Sequence, residues 1–340
     1  MEYLFEYGLF LAKALTIVIA IGAIVALVVG ASTKPKGQSG SLEVTDLSEQ
    51  MQQTKDDFLE STLDKKALKA LRKEQKAKNK SDDKVDTDSQ GKVYVIDFKG
   101  SMDAHEVESL REEVSAILMF ADKEKDRVLV RLESGGGVVH GYGLASSQLQ
   151  RITSSGIKLT VAIDKVAASG GYMMACVADE IIAAPFAIVG SIGVIAQIPN
   201  FNKVLKKHDI DYEQITAGQY KRTLTLFGEN TDDGRQKFRE EVEQTHELFK
   251  QFVSQHRPDM DLEQVATGEH WFALDAKDKG LVDRISTSDD ELITLAQNHH
   301  AYKVQYKQKQ GLADKFAKNL AITIESVGMR LWSQGKRLIP

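Results

Sequence analysis

Three separated stretches of the chain hold side chains suited to chemistry on a carbonyl. In "AASGGYMMA", Ser169 stands before two glycines and an apolar run. A serine there can cap the helix that follows, because its oxygen accepts from exposed N–H groups. It can equally be a nucleophile, held where a helix N-terminus favours developing negative charge. Its neighbours do not spell G-x-S-x-G, which disfavours the nucleophile elbow of α/β-hydrolases. Serine attacks at neutral pH only with a base. Of the eight histidines, only His140 lies in a glycine-rich loop, and a lone loop histidine is more often structural or solvated. The stretch "TAGQYKRTLTLFGENT" supplies Lys221. A lysine serves as a general base where burial penalises its ammonium form, although a Lys-Arg pair is most often surface charge. The third stretch, "ESGGGVVHGYG" at 133–143, carries glycines that free the backbone to turn N–H groups toward a ligand. It has neither the Gly-Lys-Ser/Thr of a phosphate loop nor dinucleotide-fingerprint spacing. An oxyanion site and a plain tight turn both fit it.

The flanking residues predict the elements that hold these stretches. "KVYVIDF", "RVLVRL" and "KLTVAI" read as strands. "DAHEVESLREEVSAILMF" reads as a helix with Val107, Leu110, Val114, Ile117 and Leu118 on one stripe, and "GLASSQLQRI" lies in another. Strands alternating with helices indicate an α/β fold with substantial parallel pairing. The apolar run 181–199 is broken by Pro185, Gly190, Ser191 and Gly193, so short buried strands and turns are expected there. Beyond residue 231 comes a charged helix, then "GLVD" at 280–283 as a short buried strand.

With 340 residues, 42% hydrophobic and 27% charged, the composition is globular, and a net charge of −5 argues against a nucleic-acid partner. The single Cys176 excludes an intrachain disulfide framework and a cysteine-rich zinc site; in its apolar setting it reads as a small buried hydrophobe. Leu9 to Val29 is apolar apart from Lys13 and long enough to span roughly 30 Å, a bilayer core. Glu2 and Glu6 replace the basic n-region of a cleaved signal peptide, so a retained anchor is expected. The expected organisation is a tail at 1–8, a transmembrane anchor at 9–31 and a charged helical extension and linker at 32–90. A catalytic domain at 91–300 and an amphipathic, basic segment at 301–340 follow.

In this order "AASGGYMMA", "VGSIGV", "TAGQYKR" and "GLVD" resemble the signal peptide peptidase A family of serine proteases, peptidase family S49. The anchor, charged extension, single peptidase unit and "GENT" stretch are most similar to its SohB branch. The resemblance implies a Clp-protease/crotonase-like fold of repeated β-β-α units behind one N-terminal transmembrane helix. It also implies a Ser-Lys dyad, with Ser169 as nucleophile and Lys221 as general base. The oxyanion donors would be the N–H groups of Gly170 and Gly137, and Ser191 of "GSIGV" would orient the lysine. No cofactor and no metal are implied. The implied partners are a peptide or unfolded protein substrate, the lipid bilayer and further copies of the chain, with the dyad able to form across subunits. The implied activity is that of a membrane-anchored serine endopeptidase working through an acyl-enzyme at the bacterial inner membrane. Lys34 and Lys36 weakly favour a cytoplasmic domain; the resemblance favours a periplasmic one. A crotonase-like acyl-CoA enzyme and a non-catalytic membrane scaffold are the alternatives. One departure stands out. The family loop usually reads Ser-Pro-Gly-Gly, whereas this chain has Ser134-Gly135-Gly136-Gly137, and glycine widens the ensemble that proline would narrow.

Overall fold

The Val- and Ile-rich runs assemble into a parallel sheet. The computed structural model describes residues 40–64, 66–70, 73 and 90–308, together with 7, 8, 10, 11, 13 and 16. Most of the expected anchor at 9–31 and of the expected C-terminal amphipathic segment therefore lies outside the described residues. No helix among the described residues is long and apolar enough to cross a membrane.

The elements in chain order begin with β1 (Ser41–Asp46), α1 (Leu47–Thr62), β2 (Gly91–Lys99), α2 (Val107–Phe120), β3 (Arg127–Glu133) and α3 (Val139–Ser154). Next come β4 (Lys158–Ile163), β5 (Val166–Ala168), α4 (Gly170–Ala175), β6 (Glu180–Ala183), β7 (Ile188–Gly190) and α5 (Asn202–Lys207). The chain continues through α6 (Asp232–His256), α7 (Leu262–Val265), β8 (His270–Phe272), α8 (Ala273–Asp278), β9 (Arg284–Ile285), α9 (Ser288–Ala296) and β10 (His299–Lys307). The main sheet has the order β1-β10-β2-β3-β4-β6-β9, and a smaller sheet has the order β5-β7-β8. Parallel registers pair Val93 with Arg127, Arg127 with Lys158 and Thr160 with Glu180. The fold is mixed α/β, as the alternation of elements predicts.

Side chains of a strand alternate between faces, and β2 shows what each face does. Tyr94, Ile96 and Phe98 enter the larger core with Leu110, Val114 and Ile117 of α2 and with Tyr142, Leu149 and Ile152 of α3. Val93 and Val95 enter a smaller core with Leu129, Ile182 and Leu292 of α9. The chain passes from the main sheet to the small one, β4 to β5 and β6 to β7, and the first of these crossings leads through Ser169 to the start of α4.

The structure corrects three element boundaries. "GLVD" is not a strand. Gly280, at φ +78°, closes α8, its N–H donating to Lys277 C=O (3.0 Å) while Leu281 N–H donates to Ala276 C=O (3.0 Å). This is a Schellman closure, in which Leu281 and Val282 are buried and the strand starts only at Arg284. The helix expected from Asp103 begins at Val107, because residues 102–106 form turns. The sheet also gains β1 and β10, so it runs past residue 300, where the sequence reading ended the domain.

Candidate active site

Ser169 sits on a sharp strand-to-helix turn between β5 and α4. Its φ of +54° and ψ of −119° lie where a side chain is disfavoured. Such a conformation costs about 1–3 kcal/mol and persists only where the surroundings impose it. Here they do: Ser169 N–H donates to Gly190 C=O at the end of β7 (2.8 Å), and Ser169 C=O accepts from Met173 N–H (3.0 Å). The backbone of Ser169 caps the helix, but its hydroxyl makes no capping bond and no other hydrogen bond to a described group. The sequence pattern argued against a nucleophile elbow, yet the turn is of that kind, a strained serine between strand and helix. Ala167 replaces the first glycine of the motif, and Gly171 supplies the second, where a Cβ would stand 3.2 Å from that of Ser134.

The glycine loop is laid against this turn. Ser134 bridges Ala167 in parallel fashion, its N–H donating to Val166 C=O (2.8 Å) and its C=O accepting from Ala168 N–H (3.0 Å). The next residues then cross in front of Ser169. Gly136, at φ +85°, comes so close that a Cβ would stand 2.7 Å from Ala168 O, Gly170 N and Ser169 Cβ. A Cβ at Gly137 would overlap the Met102 carbonyl. Gly170 is the first residue of α4, so its N–H has no intrahelical acceptor. Neither Gly170 N–H nor Gly137 N–H donates to a described group, and Gly136 N–H is taken by Ser134 Oγ (3.0 Å). The turn thus offers a free hydroxyl with two free amide donors on the segments beside it.

The three glycines are not equivalent. Gly136→Ala is expected to cost about 10²-fold in turnover, since the clash displaces the turn that carries Ser169 and the Gly170 donor. It should also cost about 1–3 kcal/mol through the positive φ. Peptide kinetics beside thermal unfolding check both, and an unchanged kcat in Gly136→Ala would refute the close packing. At Gly135 a Cβ meets nothing within 4 Å, and φ is not in the left-handed region. Its N–H donates to no described group, and the preceding Ser134 is extended. Gly135→Pro should therefore preserve or raise turnover and stabilise by about 0.4–1 kcal/mol. A folded proline variant with greatly reduced turnover would contradict that expectation.

The other residues singled out in the sequence fall as follows. Ser191, at φ +52°, follows the Gly190 carbonyl that holds Ser169, and its N–H donates to Glu269 C=O (2.6 Å). Lys221 is exposed, on a turn in which its N–H donates to Gly218 C=O (3.2 Å). No hydrogen bond or ion pair joins its ammonium to Ser169, Ser191 or any other described group. His140 is exposed at the start of α3. Cys176 is buried, and burial pushes its thiol pKa up, away from reactivity. Among the described residues no cluster of three or more His, Cys, Asp or Glu is placed to hold a metal ion.

Behind the glycine loop lies a polar group that the sequence did not single out. Ser101 Oγ lies 2.7 Å from Asp103 Oδ1, 2.8 Å from Glu106 Oε2 and 2.8 Å from His105 Nδ1. The Ser101 hydroxyl first and His105 second hold the exposed Asp103 carboxyl down at about 2. Burial raises the pKa of Tyr142, the phenol that reaches this group from α3, so it remains a neutral donor. Ser134 and Tyr142 stood within the quoted glycine stretch, but nothing local marked them.

Known proteins resemble this chain throughout. Residues 2–149 match the family described as "Peptidase family S49 N-terminal", and residues 151–303 match "Peptidase family S49". A "Probable protease SohB" of Haemophilus influenzae is 49% identical over 328 residues, covering 93% of this chain and 93% of its own length. Its namesake in Buchnera aphidicola subsp. Schlechtendalia chinensis is 48% identical over 305 residues, covering 86% of this chain and 100% of its own. Among solved structures, the 1510-N membrane-bound stomatin-specific protease is 14% identical, with a TM-score of 0.41, covering 61% of this chain and 84% of that one. That likeness is too remote to carry residue roles.

Proposed function

The chain belongs to peptidase family S49 and is a serine-type peptidase; from that premise we propose that it is a membrane-anchored endopeptidase cleaving peptides or unfolded segments through a Ser-Lys dyad. Neutral Lys221 takes the Ser169 proton as Oγ attacks the scissile carbonyl. The Gly170 and Gly137 N–H groups hold the oxyanion, and collapse leaves an acyl-enzyme as the lysine protonates the leaving amine. Water then releases the acyl group by the reverse sequence, with Lys221 again the base. Ser191 orients the lysine. The observation that carries this reading is the strained Ser169 turn, whose hydroxyl bonds to no described group while its N–H and C=O are both engaged.

Assembly of several copies belongs to the same proposal. What supports it is the segment around Lys221, where Ile215 is 95% and Tyr220 43% exposed. A neighbouring copy would cover such side chains and desolvate the lysine, which lowers the cost of its neutral form. Placement of the domain on the periplasmic side follows the family resemblance, whereas anchoring by residues 9–31 at the inner membrane rests on the apolar run. So does the bilayer as a partner. A Clp-protease/crotonase-like architecture is supported by β4-β5-α4, one β-β-α unit whose strands divide between two sheets.

Purified full-length protein in detergent, offered unfolded casein and a CoA thioester, tests the activity. The proposal expects Ser169-dependent cleavage of casein and none of the thioester. Thioester turnover without casein cleavage would favour the acyl-CoA alternative.

A further inference from the structure

We propose that Tyr142 is a positioning residue for the oxyanion loop, acting through Ser134 on the backbone of Gly136. The role rests on the Ser169 reading above and goes beyond it, because Tyr142 touches no reacting atom. Tyr142 is fully buried. Its ring lies against Gly170, where any Cβ would overlap it. Its hydroxyl donates to Ser101 C=O (2.8 Å) and lies 2.5 Å from Ser134 Oγ. Ser134 Oγ in turn accepts from Gly136 N–H (3.0 Å). A carbonyl can only accept and an amide can only donate, so the direction of the whole chain is set. Gly136 N–H donates to Ser134, Ser134 O–H donates to Tyr142, and Tyr142 O–H donates to Ser101 C=O. Hydrogen bonds aligned in one direction in a buried setting strengthen one another.

The far end is fastened as well. Ser101 N–H donates to Glu106 Oε2 (3.0 Å), and the neighbouring Met102 C=O accepts from Val138 N–H (2.8 Å), directly after the glycine loop. A Cβ at Gly100 would stand 2.5 Å from Tyr142 Oη and 2.9 Å from Ser134 Oγ, so the pair is tightly enclosed. The consequence is conformational. Three successive glycines have little intrinsic preference for one backbone shape. Locking the Gly136 amide leaves only the dihedrals of Gly136 itself between that fixed plane and the Gly137 N–H. One phenol therefore braces both donor segments, Gly170 with its ring and the glycine loop with its hydroxyl. The network supplies from outside the loop the rigidity that a proline at 135 would build into it.

Tyr142→Phe keeps the ring and removes the hydroxyl. In the full-length protein it is expected to lower kcat about tenfold, part of what a lost oxyanion donor costs, with KM unchanged. A peptide aldehyde, whose adduct with Ser169 places an oxygen in the oxyanion site, should bind more weakly by the same factor. Adding Gly135→Pro to Tyr142→Phe should recover most of the loss, which a merely structural role would not predict. Ser134→Ala should give the same pattern, and it decides the matter alone if the tyrosine variant does not fold. Wild-type turnover that needs Ser169 but is unmoved, within twofold, by either variant overturns the positioning role only. Wild-type turnover that does not need Ser169 overturns the underlying reading and this role together.

Discussion

Ser169→Ala is expected to lower cleavage of an unfolded substrate by at least about 10⁴-fold without raising stability, whereas Ser169→Gly should abolish cleavage equally and make the protein more stable. The rate effect follows from losing the nucleophile, after which only binding and oxyanion contacts remain. The stability effect follows from the backbone. Ser169 is held at φ +54° by bonds from its N–H and C=O. Alanine keeps the Cβ that makes this costly, and glycine removes it. The gain should be about 1 kcal/mol after the larger unfolded-state entropy of glycine, or about 2–4 °C in Tm. Thermal unfolding of the three proteins checks it. If Ser169→Gly unfolds at a lower temperature than wild type, the strain is not stored at this residue.

Lys221→Ala and Lys221→Arg are both expected to lose about 10⁴-fold in turnover while unfolding within about 0.5 kcal/mol of wild type. The stability half rests on exposure within one chain: the Lys221 ammonium makes no ion pair or hydrogen bond to any described group, and such surface changes are nearly neutral. The activity half rests on proton transfer. Arginine keeps the charge, but its guanidinium does not give up a proton in proteins, so it cannot take one from Ser169. The pair separates a base from a mere positive charge, and peptide kinetics with both variants checks it. Appreciable turnover in Lys221→Arg would mean that charge suffices and that the general base lies elsewhere.

Much of this molecule was legible in the chain because its signals are local. The runs "KVYVIDF", "RVLVRL" and "KLTVAI" are buried on both faces, so they stand out as apolar strands, and they are β2, β3 and β4. The strand β10 escaped notice because only Ala301 and Val304 of its nine residues are buried. Similarly, "GLVD" was apolar for its place in the core but turned out to be a helix closure, a distinction that burial alone does not carry. At the site, serine followed by two glycines announced a special turn. The left-handed backbone of Ser169 was not visible, since it is imposed by Gly190 on another strand. The bond from Tyr142 to Ser101 joins residues 41 positions apart and so leaves no periodic trace. The concern about Gly135 changes accordingly. The glycine that replaces proline stands in open space, while the two that follow are fixed by Ser169, Ser134 and Met102.

The most direct test of the central claim is to quench the protein during turnover of a peptide ester and locate the covalent acyl group by mass spectrometry of its fragments. The acyl group is expected on the fragment containing Ser169, accumulating in a burst equal to the enzyme present and absent from Ser169→Ala. An acyl group on any other residue, or steady Ser169-independent turnover with no covalent adduct, would contradict the assignment of Ser169 as the nucleophile.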